Sequence, residues 1–512
     1  MSTTTMVEEK KVPYGIITIL LIGAFISLLN ETLLNVALPS IMKDLNVSTS
    51  TVQWLSTGYM LVNGIMIPTT AFLIEKFSVR RLFLVAMGLF TIGTITAGVA
   101  PNFSTLLLAR LIQASGSAIM MPLLMNVLLT SFPVEKRGGA MGIFGLVMIF
   151  APAIGPTLSG WLVEHYSWRM LFHIVTPIAA LIFILAIFLL KDHKEKVNIR
   201  LDLLSLVLST IGFGGLLYGF SSAGNKGWDN PIVYGTIIVG AVSLILFIWR
   251  QLVLDQPMLE FRIYKYPMFA LSSVIMIVIM VGMFAGMLLL PIYLQNIRGI
   301  TPLHSGLLML PGAILMGIMS PITGILFDKI GAKILAIIGL AITIVTSYFF
   351  SQLSLTTTYT ELIILYTLRM FGMSMIMMPV MTNGLNQLPG KLNAHGTAMN
   401  NTLQQVSGAI GSAFLVSIMS NRTETHAKDL TEKAMSKLTG HPSPDAIAQM
   451  KQHIGMKAVV EGINDAFLVS VGIMLIAFIL VFFMKRVTPY ESQKISNTNE
   501  KESKKVLKSE LE

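Results

Sequence analysis

Residues 119–126 read IMMPLLMN and residues 376–383 read IMMPVMTN, so one pattern occurs twice, 257 positions apart. Arg110 precedes the first copy and Arg369 precedes the second copy. Further matches follow in the same order at nearly the same offset: Leu38-Pro39 with Leu290-Pro291, Gly138-x-Ala140-Met141 with Gly396-x-Ala398-Met399, and Ala153-Ile154-Gly155 with Ala409-Ile410-Gly411. Ordered matches at an almost constant spacing indicate an internal duplication rather than chance similarity.

The composition around this repeat is that of a membrane protein. Hydrophobic residues make up 54% of the 512 residues and charged residues 12%, with a mean hydropathy of +0.73. A soluble chain would carry roughly a quarter charged residues. There are no cysteines, which excludes disulfides, thiolate catalysis and Cys-ligated zinc. The eight histidines are scattered without ligand spacing, so we predict no metal site and no cofactor.

The apolar runs predict an all-α protein with fourteen transmembrane helices, because a helix needs about 20 apolar residues to cross the hydrocarbon layer. The runs begin near Tyr14, Gln53, Leu82, Thr105, Ala140, Leu171, Leu203, Ile232, Met268, Gly306, Ile334, Glu361, Ala398 and Ala466. The first run is too long for a cleaved signal peptide, and we interpret it as a retained span.

The distribution of Lys and Arg predicts the orientation of these spans. An even number of spans places both termini on one side, and most of the 36 basic residues fall on that side. The short loops of the other side hold four: Lys43, Arg169, Lys226 and Arg298. Basic residues favour the cytoplasm, so we expect a multi-pass cell-membrane protein with both termini cytoplasmic. Topology accounts for the net charge of +10, and we therefore predict no nucleic-acid partner.

The repeat divides the chain into two halves of six helices with two helices inserted between them. The predicted segments are a cytoplasmic N-terminus (1–13), a first half (14–190), a linker with the two extra helices (191–265), a second half (266–485) with an extracellular loop near 421–464 that has room for an amphipathic helix, and a cytoplasmic tail (486–512). Repeated halves of this kind place a substrate site near the bilayer midplane and permit alternating access. The expected partners are the lipid bilayer and small-molecule substrates, and we expect a monomer.

Three ionisable residues lie well inside the predicted spans: Glu31, Arg110 and Arg369. A charge at this depth costs at least about 2.5–3.5 kcal/mol and marks a functional site or a pair. Glu31 and Arg110 fall at similar depth, which makes Glu31 a candidate for proton coupling or cation recognition. The alternative is a static Glu31–Arg110 ion pair. Arg369 has no evident acidic partner, so a structural role there competes with a role in transport.

Two cytoplasmic loops carry the same charge pattern, an acid followed by a lysine and, after three more residues, a second base. Glu75-Lys76 with Arg80 and Arg81 follow the second span, and Asp328-Lys329 with Lys333 follow the tenth. A carboxylate among cations at a helix end can contact the terminus of a neighbouring helix. We predict a conformational latch at each loop; ordinary topology-setting charge is the alternative.

The fifth span combines small residues with proline. Ala151, Gly155 and Ser159 form a stripe at four-residue spacing, which permits close helix packing. Proline removes a backbone donor and bends a helix. The candidate residues of this helix are Gly145, Pro152, Gly155, Pro156 and Gly160.

These motifs together resemble the fourteen-span drug:proton antiporter branch of the major facilitator superfamily, which includes lincomycin-resistance and quaternary-ammonium exporters. The resemblance covers residues 14–485. Its motifs are Leu29-Asn30-Glu31-Thr32-Leu33-Leu34-Asn35-Val36-Ala37-Leu38-Pro39, Arg110-x2-Gln113-Ala114-x-Gly116, Gly155-Pro156, Trp168-Arg169-x2-Phe172 and Pro291-x-Tyr293-Leu294-Gln295. It implies a transporter rather than an enzyme, with protons as a further partner.

The chain departs from the branch at two places. The branch usually has Asp where this chain has Asn30, with Glu31 beside it. The first latch has Ala71, Glu75 and Ser78 in place of the usual Gly, Asp and Gly. Across the repeat, Glu31 corresponds to Met283, so the acid is confined to the first half. We therefore expect the first half to couple protons and the second half to shape the binding cavity.

The leading functional hypothesis is multidrug efflux: proton-coupled antiport of amphipathic cationic or neutral compounds out of the cell. The alternative is dedicated export of an endogenous metabolite, lipid or signalling molecule. An uptake symporter is disfavoured by the Gly155-Pro156 motif. An intramembrane enzyme would need a catalytic constellation, and the spans contain one acid and no His or Cys pair.

Overall fold

A computed structural model describes residues 14–47, 49–52, 54–133, 136–191, 202–436 and 444–487. The predicted N-terminus (1–13) and nearly all of the predicted tail (486–512) lie outside these ranges. The long helices are α1 (Tyr14–Asp44), α2 (Trp54–Lys76), α3 (Val79–Gly98), α4 (Phe103–Ser131), α5 (Arg137–His165), α6 (Met170–Leu189), α7 (Leu203–Lys226), α8 (Pro231–Val253), α9 (Pro267–Ile297), α10 (Pro302–Ile330), α11 (Ala332–Phe350), α12 (Tyr359–Asn386), α13 (Asn393–Ser436) and α14 (Pro444–Val481).

These fourteen helices confirm the predicted all-α membrane fold. All fourteen are long and apolar enough to cross a membrane. Their lipid-facing sides expose large apolar side chains, such as Phe188, which is 76% exposed, and Trp249, which is 65% exposed. Such exposure is unfavourable in water, whereas a helix that satisfies its own backbone hydrogen bonds is stable in hydrocarbon.

Local sequence chemistry sets many of the helix starts. The side chain of Asn102 accepts a hydrogen bond from the Thr105 backbone N–H at the start of α4. Thr301 and Thr358 cap α10 and α12 in the same way. These residue types are preferred at helix N-termini because their oxygens satisfy otherwise unpaired backbone donors.

The two last helices are longer than the spans that the sequence predicts. Residues 421–464, predicted as an extracellular loop, are helical over their described parts, because α13 continues to Ser436 and α14 begins at Pro444. The two extensions contact each other through the Asp465 carboxylate, which binds Arg422 at 2.5 Å and His426 at 2.8 Å. The predicted loop had room for an amphipathic helix, and the structure places helix throughout its described parts.

Two of the second-half helices are irregular. Within α9, Ala285–Leu289 and Tyr293–Ile297 are π-helical turns. The helix α12 is interrupted between Ser374 and Met377. A π-helical turn changes the backbone hydrogen-bond register and is frequent at functional sites.

The predicted halves meet mainly along two pairs of helices. The helix α5 of the first half packs along α10 of the second half, and α2 packs along α13. The inserted helix α7 packs on both α2 and α13, while α8 packs on α7. We call the end of the bundle that carries residues 76–81 and 328–333 the basic end; the charge distribution predicts that it is cytoplasmic.

Candidate functional site

Arg110 is the centre of a buried polar cluster in the first half, with an exposed fraction of 1%. Its guanidinium donates to the Asn30 side-chain oxygen at 2.7 Å and to Gln113 Oε1 at 2.6 Å. Gln113 in turn donates to the Thr94 hydroxyl at 2.7 Å. The cation is therefore held by neutral dipoles from α1, α3 and α4.

An aromatic ring completes the surroundings of this cation. The guanidinium carbon of Arg110 lies 4.2 Å from the centroid of the Tyr59 ring, and Tyr59 is fully buried on α2. A cation over an aromatic face is stabilised by about 2 kcal/mol or more when both groups are removed from water. Four helices of the first half thus converge on Arg110.

Glu31 follows Asn30 on α1 and is partly buried. It lies close enough to interact with the charge of Arg110. Within the described part of the chain, Glu31 has no ion pair and no side-chain hydrogen bond. Adjacent residues on a helix point about 100° apart, so the side chain that aims at Arg110 is Asn30. The alternative of a static Glu31–Arg110 ion pair is not observed.

Arg369 occupies the equivalent position in the second half with different partners. It is fully buried and donates to the Ser347 hydroxyl at 3.0 Å. It also donates to the backbone oxygens of Gly282 at 3.4 Å and Met283 at 3.5 Å. No acid pairs with Arg369 among the described residues. The carbonyls come from the turn of α9 that enters the first π-helical segment, so backbone replaces the side chain that Asn30 supplies in the first half.

The repeat extends to a hydroxyl residue near each arginine, which reaches Arg110 through Gln113 and accepts directly from Arg369. Thr94 and Ser347 are 253 positions apart, the offset of the loop motifs, and each hydroxyl belongs to its arginine's hydrogen-bonded group. Thr94, Ser347 and Tyr59 belong to none of the motifs that mark candidate residues in the sequence. The repeat offset of 253 relates the first two and is the one signal for them in the sequence.

The helix α5 packs directly against the stretch of α1 that carries Glu31. A Cβ atom on Gly155 would overlap the Thr32 side chain, and the Ser159 hydroxyl donates to the Leu33 backbone oxygen at 2.6 Å. Glycine and serine are therefore required here because the two helices approach closely.

The other candidate residues of α5 face elsewhere. A Cβ on Gly145 would meet Ser320 and Met378 of the second half, and a Cβ on Gly160 would lie 3.7 Å from Leu303. Pro152 is partly buried, and the side chain of Pro156 lies outside the described set. The helix α5 thus lies between α1 and the second half.

The two predicted latch acids each contact the first turn of a helix in the opposite half. The Asp328 carboxylate, at the end of α10, accepts from the backbone N–H groups of Gly138 at 3.0 Å and Gly139 at 3.2 Å in the first turn of α5. Glu75, at the end of α2, lies 2.9 Å from Nε2 of His395 in the first turn of α13. Both contacts join the halves at the basic end.

Close approach of backbone makes the Asp328 contact possible. A Cβ on Gly138 would overlap both the Asp328 carboxylate and the Gly324 backbone oxygen. Carboxylates are favoured at helix N-termini because the unpaired N–H groups and the helix dipole attract negative charge. This is the charge–dipole contact that the loop motif predicts.

The first latch uses His395, one of the scattered histidines of the sequence. The backbone N–H of Glu260 donates to Nδ1 of His395 at 3.2 Å, which places the ring proton on Nε2, facing Glu75. His395 has no local motif, so its function depends on α13 meeting α2 in space.

The basic residues of the motif make contacts within their own halves. Arg80 donates to the Ile187 backbone oxygen at 3.0 Å near the end of α6, and Lys333 donates to the Phe482 oxygen at 2.7 Å just after α14. These contacts are equivalent under the repeat. The other basic residues of the two motifs, as far as the structure describes their contacts, also contact their own halves. The Lys76 ammonium lies over the rings of Phe72 and Phe77, and the Arg81 backbone N–H donates to the Ser78 hydroxyl. The Lys329 carbonyl accepts a hydrogen bond from Arg486.

Comparison with known proteins matches the chain to one family along most of its length. The model of the Major Facilitator Superfamily matches residues 20–412. The solved structure of the human organic anion transporter MFSD10 superposes with a TM-score of 0.63 and covers 92% of this chain and 99% of that chain. Sequence identity with MFSD10 is 12%, so this likeness concerns the fold alone.

Curated relatives extend the match to nearly the whole chain. Lincomycin resistance protein LmrB of Bacillus subtilis is 45% identical over 489 residues, which cover 95% of this chain and 99% of LmrB. The B. subtilis MFS-type transporter YhcA, whose name describes it as uncharacterised, is 50% identical over 94% of both chains. Multidrug export protein EmrB of Haemophilus influenzae is 26% identical over 91% of this chain and 94% of EmrB.

Proposed function

The chain belongs to the major facilitator superfamily, and from this premise we propose that it exports amphipathic cationic or neutral compounds from the cell in exchange for protons. Members of this family are membrane transporters of small molecules, not enzymes. Relatives named for lincomycin resistance and multidrug export support export as the direction and drugs as substrates. We further propose that the chain acts as a monomer in the cell membrane with the basic end in the cytoplasm.

The observation that carries the proton coupling is the position of Glu31. An ionised carboxylate without a counter-ion is expensive in a low-dielectric interior. Its nearest cation, Arg110, already donates to Asn30 and Gln113. Glu31 is therefore stabilised by taking up a proton or by holding a cationic substrate. Exchange of one for the other is the elementary step of an antiport cycle.

Glu31 also lies where a conformational change can act on it. The next residue, Thr32, is the one that Gly155 of α5 contacts, and α5 packs along α10 of the second half. A relative movement of the halves would therefore change the surroundings of Glu31 through α5. This coupling gives proton release a structural link to alternating access.

The two contacts at the basic end supply the second element of the cycle. The contact of Asp328 with the first turn of α5 and the contact of Glu75 with His395 of α13 are equivalent under the repeat. Both join the two halves at the basic end. We propose that they are latches that stabilise the state closed to the cytoplasm. Their release would open the cavity toward the cytoplasm for loading.

Transport in inside-out membrane vesicles tests the proposal. With an acidic lumen, the wild-type chain is expected to accumulate a cationic dye, and Glu31→Gln is expected to abolish the part of the accumulation that depends on the proton gradient. Glu164→Gln is the matched control, since Glu164 is an exposed glutamate near the C-terminus of α5, at the end of the bundle opposite the basic end. Equal accumulation by wild type and Glu31→Gln would remove Glu31 from the coupling mechanism. Export of a cell metabolite with no drug moved would overturn drug efflux.

A further inference from the structure

A series of hydrogen bonds joins the inserted helix pair to the first latch at the basic end. It runs through the α8–α9 segment, residues 254–266, which connects the inserted pair to the second half. Leu259 and Ile263 of this segment are fully buried, in the same hydrophobic cluster as Phe72 of α2 and Ala394 of α13. The α8–α9 segment is therefore packed where the first half meets the start of α13.

The α8–α9 segment is attached to both inserted helices. The Asp202 carboxylate at the start of α7 accepts from the Arg250 guanidinium of α8 at 2.6 and 2.9 Å. The neighbouring Gln251 is fully buried and donates to the Ser205 hydroxyl of α7. The side-chain oxygen of Gln251 accepts from the Leu259 backbone N–H at 3.2 Å. The position of this segment is thus set by the paired ends of α7 and α8.

Glu260, the next residue of the segment, contacts the latch histidine. Its backbone N–H donates to Nδ1 of His395 at 3.2 Å, and Nε2 of the same ring lies 2.9 Å from the Glu75 carboxylate. His395 is buried, with an exposed fraction of 4%. A neutral imidazole carries one ring proton, and the hydrogen bond at one nitrogen decides which nitrogen holds it. The Glu260 N–H therefore keeps the proton on Nε2, where it faces Glu75.

The other tautomer of His395 would change the sign of the latch contact. With the proton on Nδ1, the lone pair of Nε2 would face the negative charge of Glu75, and the two acceptors would repel. With the proton on Nε2, the contact is a hydrogen bond to a charged acceptor, which is stronger than one between neutral groups. Asp328 of the second latch contacts backbone N–H groups of α5 directly. Of the two latches, the first therefore depends on the α8–α9 segment.

We propose that the inserted helix pair controls the first latch through the α8–α9 segment, with His395 as the positioning residue between Glu260 and Glu75. The proposal rests on the proposed function, from which it takes the latch, and it assigns the inserted pair a regulatory role. The helix α7 packs on both α2 and α13, the two helices that the first latch joins. A movement of α7 between them would withdraw the Glu260 N–H, release the ring and weaken the state closed at the basic end.

Two substitutions of Glu260 separate its backbone N–H from its side chain. Glu260→Pro removes the N–H at a position whose φ of −81° is close to the range of proline. Glu260→Ala keeps the N–H and removes the carboxylate that contacts Arg262. The purified full-length chain in lipid nanodiscs is labelled with ¹⁵N-histidine, and the His395 resonances are assigned by comparison with His395→Gln. We expect Nε2 protonation in the wild type and in Glu260→Ala, and its loss in Glu260→Pro.

Spin labels at Lys136→Cys and Lys391→Cys, two exposed residues of the basic end on opposite halves, report on the latch itself. Glu260→Pro is expected to shift the equilibrium about tenfold away from the state closed at the basic end, the value of one lost hydrogen bond. Glu75→Gln is expected to shift it in the same direction. Glu260→Ala is expected to give the distance distribution of the wild type.

A second variant tests the attachment to the inserted pair and serves if Glu260→Pro does not fold. Gln251→Leu removes the acceptor of the Leu259 N–H and is expected to change both the His395 resonances and the label distances. Unchanged resonances and distances in Gln251→Leu would overturn control by the inserted pair.

The remaining outcomes separate the link from the latch. A proton on Nδ1 of His395 in the wild type would overturn the link. So would equal distances in Glu260→Pro and Glu260→Ala while Glu75→Gln shifts them, and the latch of the proposed function would then stand. Unchanged distances in Glu75→Gln would instead refute the latch, and the link with it.

Discussion

The contact between Asp328 and the first turn of α5 leads to a quantitative prediction about conformational equilibrium. Asp328→Asn keeps the size of the side chain and removes its charge. The carboxylate accepts two backbone N–H groups, at 3.0 and 3.2 Å, at a helix N-terminus. A charge-assisted hydrogen bond is worth about 1.5–3 kcal/mol and the helix dipole adds about 0.3–1 kcal/mol, but Asn keeps part of the hydrogen bonding. We expect a net loss of about 2 kcal/mol.

That loss corresponds to about a 30-fold shift of the equilibrium away from the state closed at the basic end. Because the chain contains no cysteine, spin labels can be attached at introduced cysteines alone. Lys136→Cys and Lys391→Cys place one label on each half, both at exposed residues of the basic end. In Asp328→Asn, the distance distribution between the two labels is expected to broaden toward longer distances.

The control is Asp255→Asn, which removes an exposed carboxylate from the same end of the bundle. It should leave the distance distribution as in the wild type. An unchanged distribution in Asp328→Asn would refute the latch, since the contact of this carboxylate with the first turn of α5 would then not bias the equilibrium. An equal change in both variants would point to the overall charge of the basic end instead.

Two further perturbations follow from the packing and the charges. Gly155→Leu is expected to abolish transport and to lower the free energy of unfolding by about 1–3 kcal/mol, because the leucine side chain would overlap Thr32 in a closely packed contact. The control is Gly472→Leu, at a glycine with open space around it, which is expected to keep wild-type transport and stability in the same transport and melting assays. Arg250 donates two hydrogen bonds to Asp202, at 2.6 and 2.9 Å, and holds the pKa of the Asp202 carboxyl well below its usual value. A carboxyl pKa that is lowered in the folded state stabilises the fold at pH values above the unfolded-state pKa of about 3.9, and this stabilisation is lost as the pH falls from there toward the folded-state pKa. Asp202→Asn is therefore expected to lower the Tm at pH 7 and to lower it by less at pH 3. Equal decreases in Tm at the two pH values would contradict this reasoning.

The fold could be predicted almost completely from the sequence, because its determinants are local. Hydropathy over about 20 residues identifies each span, and fourteen helices begin close to the predicted runs, with α14 as the main exception. The extension of α14 from Pro444 lies in the segment where the sequence indicates only room for an amphipathic helix, because a polar stretch has no hydropathy signal that would set its bounds. The duplication and the rarity of charge inside spans likewise singled out Glu31, Arg110 and Arg369.

The partners of those residues could not be predicted, because contacts between helices depend on rotation and packing. A rotation of about 100° per residue separates Asn30 from Glu31, and the structure aims Asn30 at Arg110 and leaves Glu31 without an ion pair among the described residues. His395 has no motif and acquires its partner because α13 meets α2.

The sequence by itself therefore determined a duplicated, fourteen-span membrane bundle with one acid and two arginines inside it. The charge pattern of the loops also determined that each latch acid stands at a helix end. The tertiary structure alone decided which helix terminus each acid contacts, and that the inserted helix α7 packs on both α2 and α13. The physical reason is the range of the interactions: insertion into a bilayer depends on the composition of one segment, whereas a site depends on side chains from several helices at distances of a few ångströms.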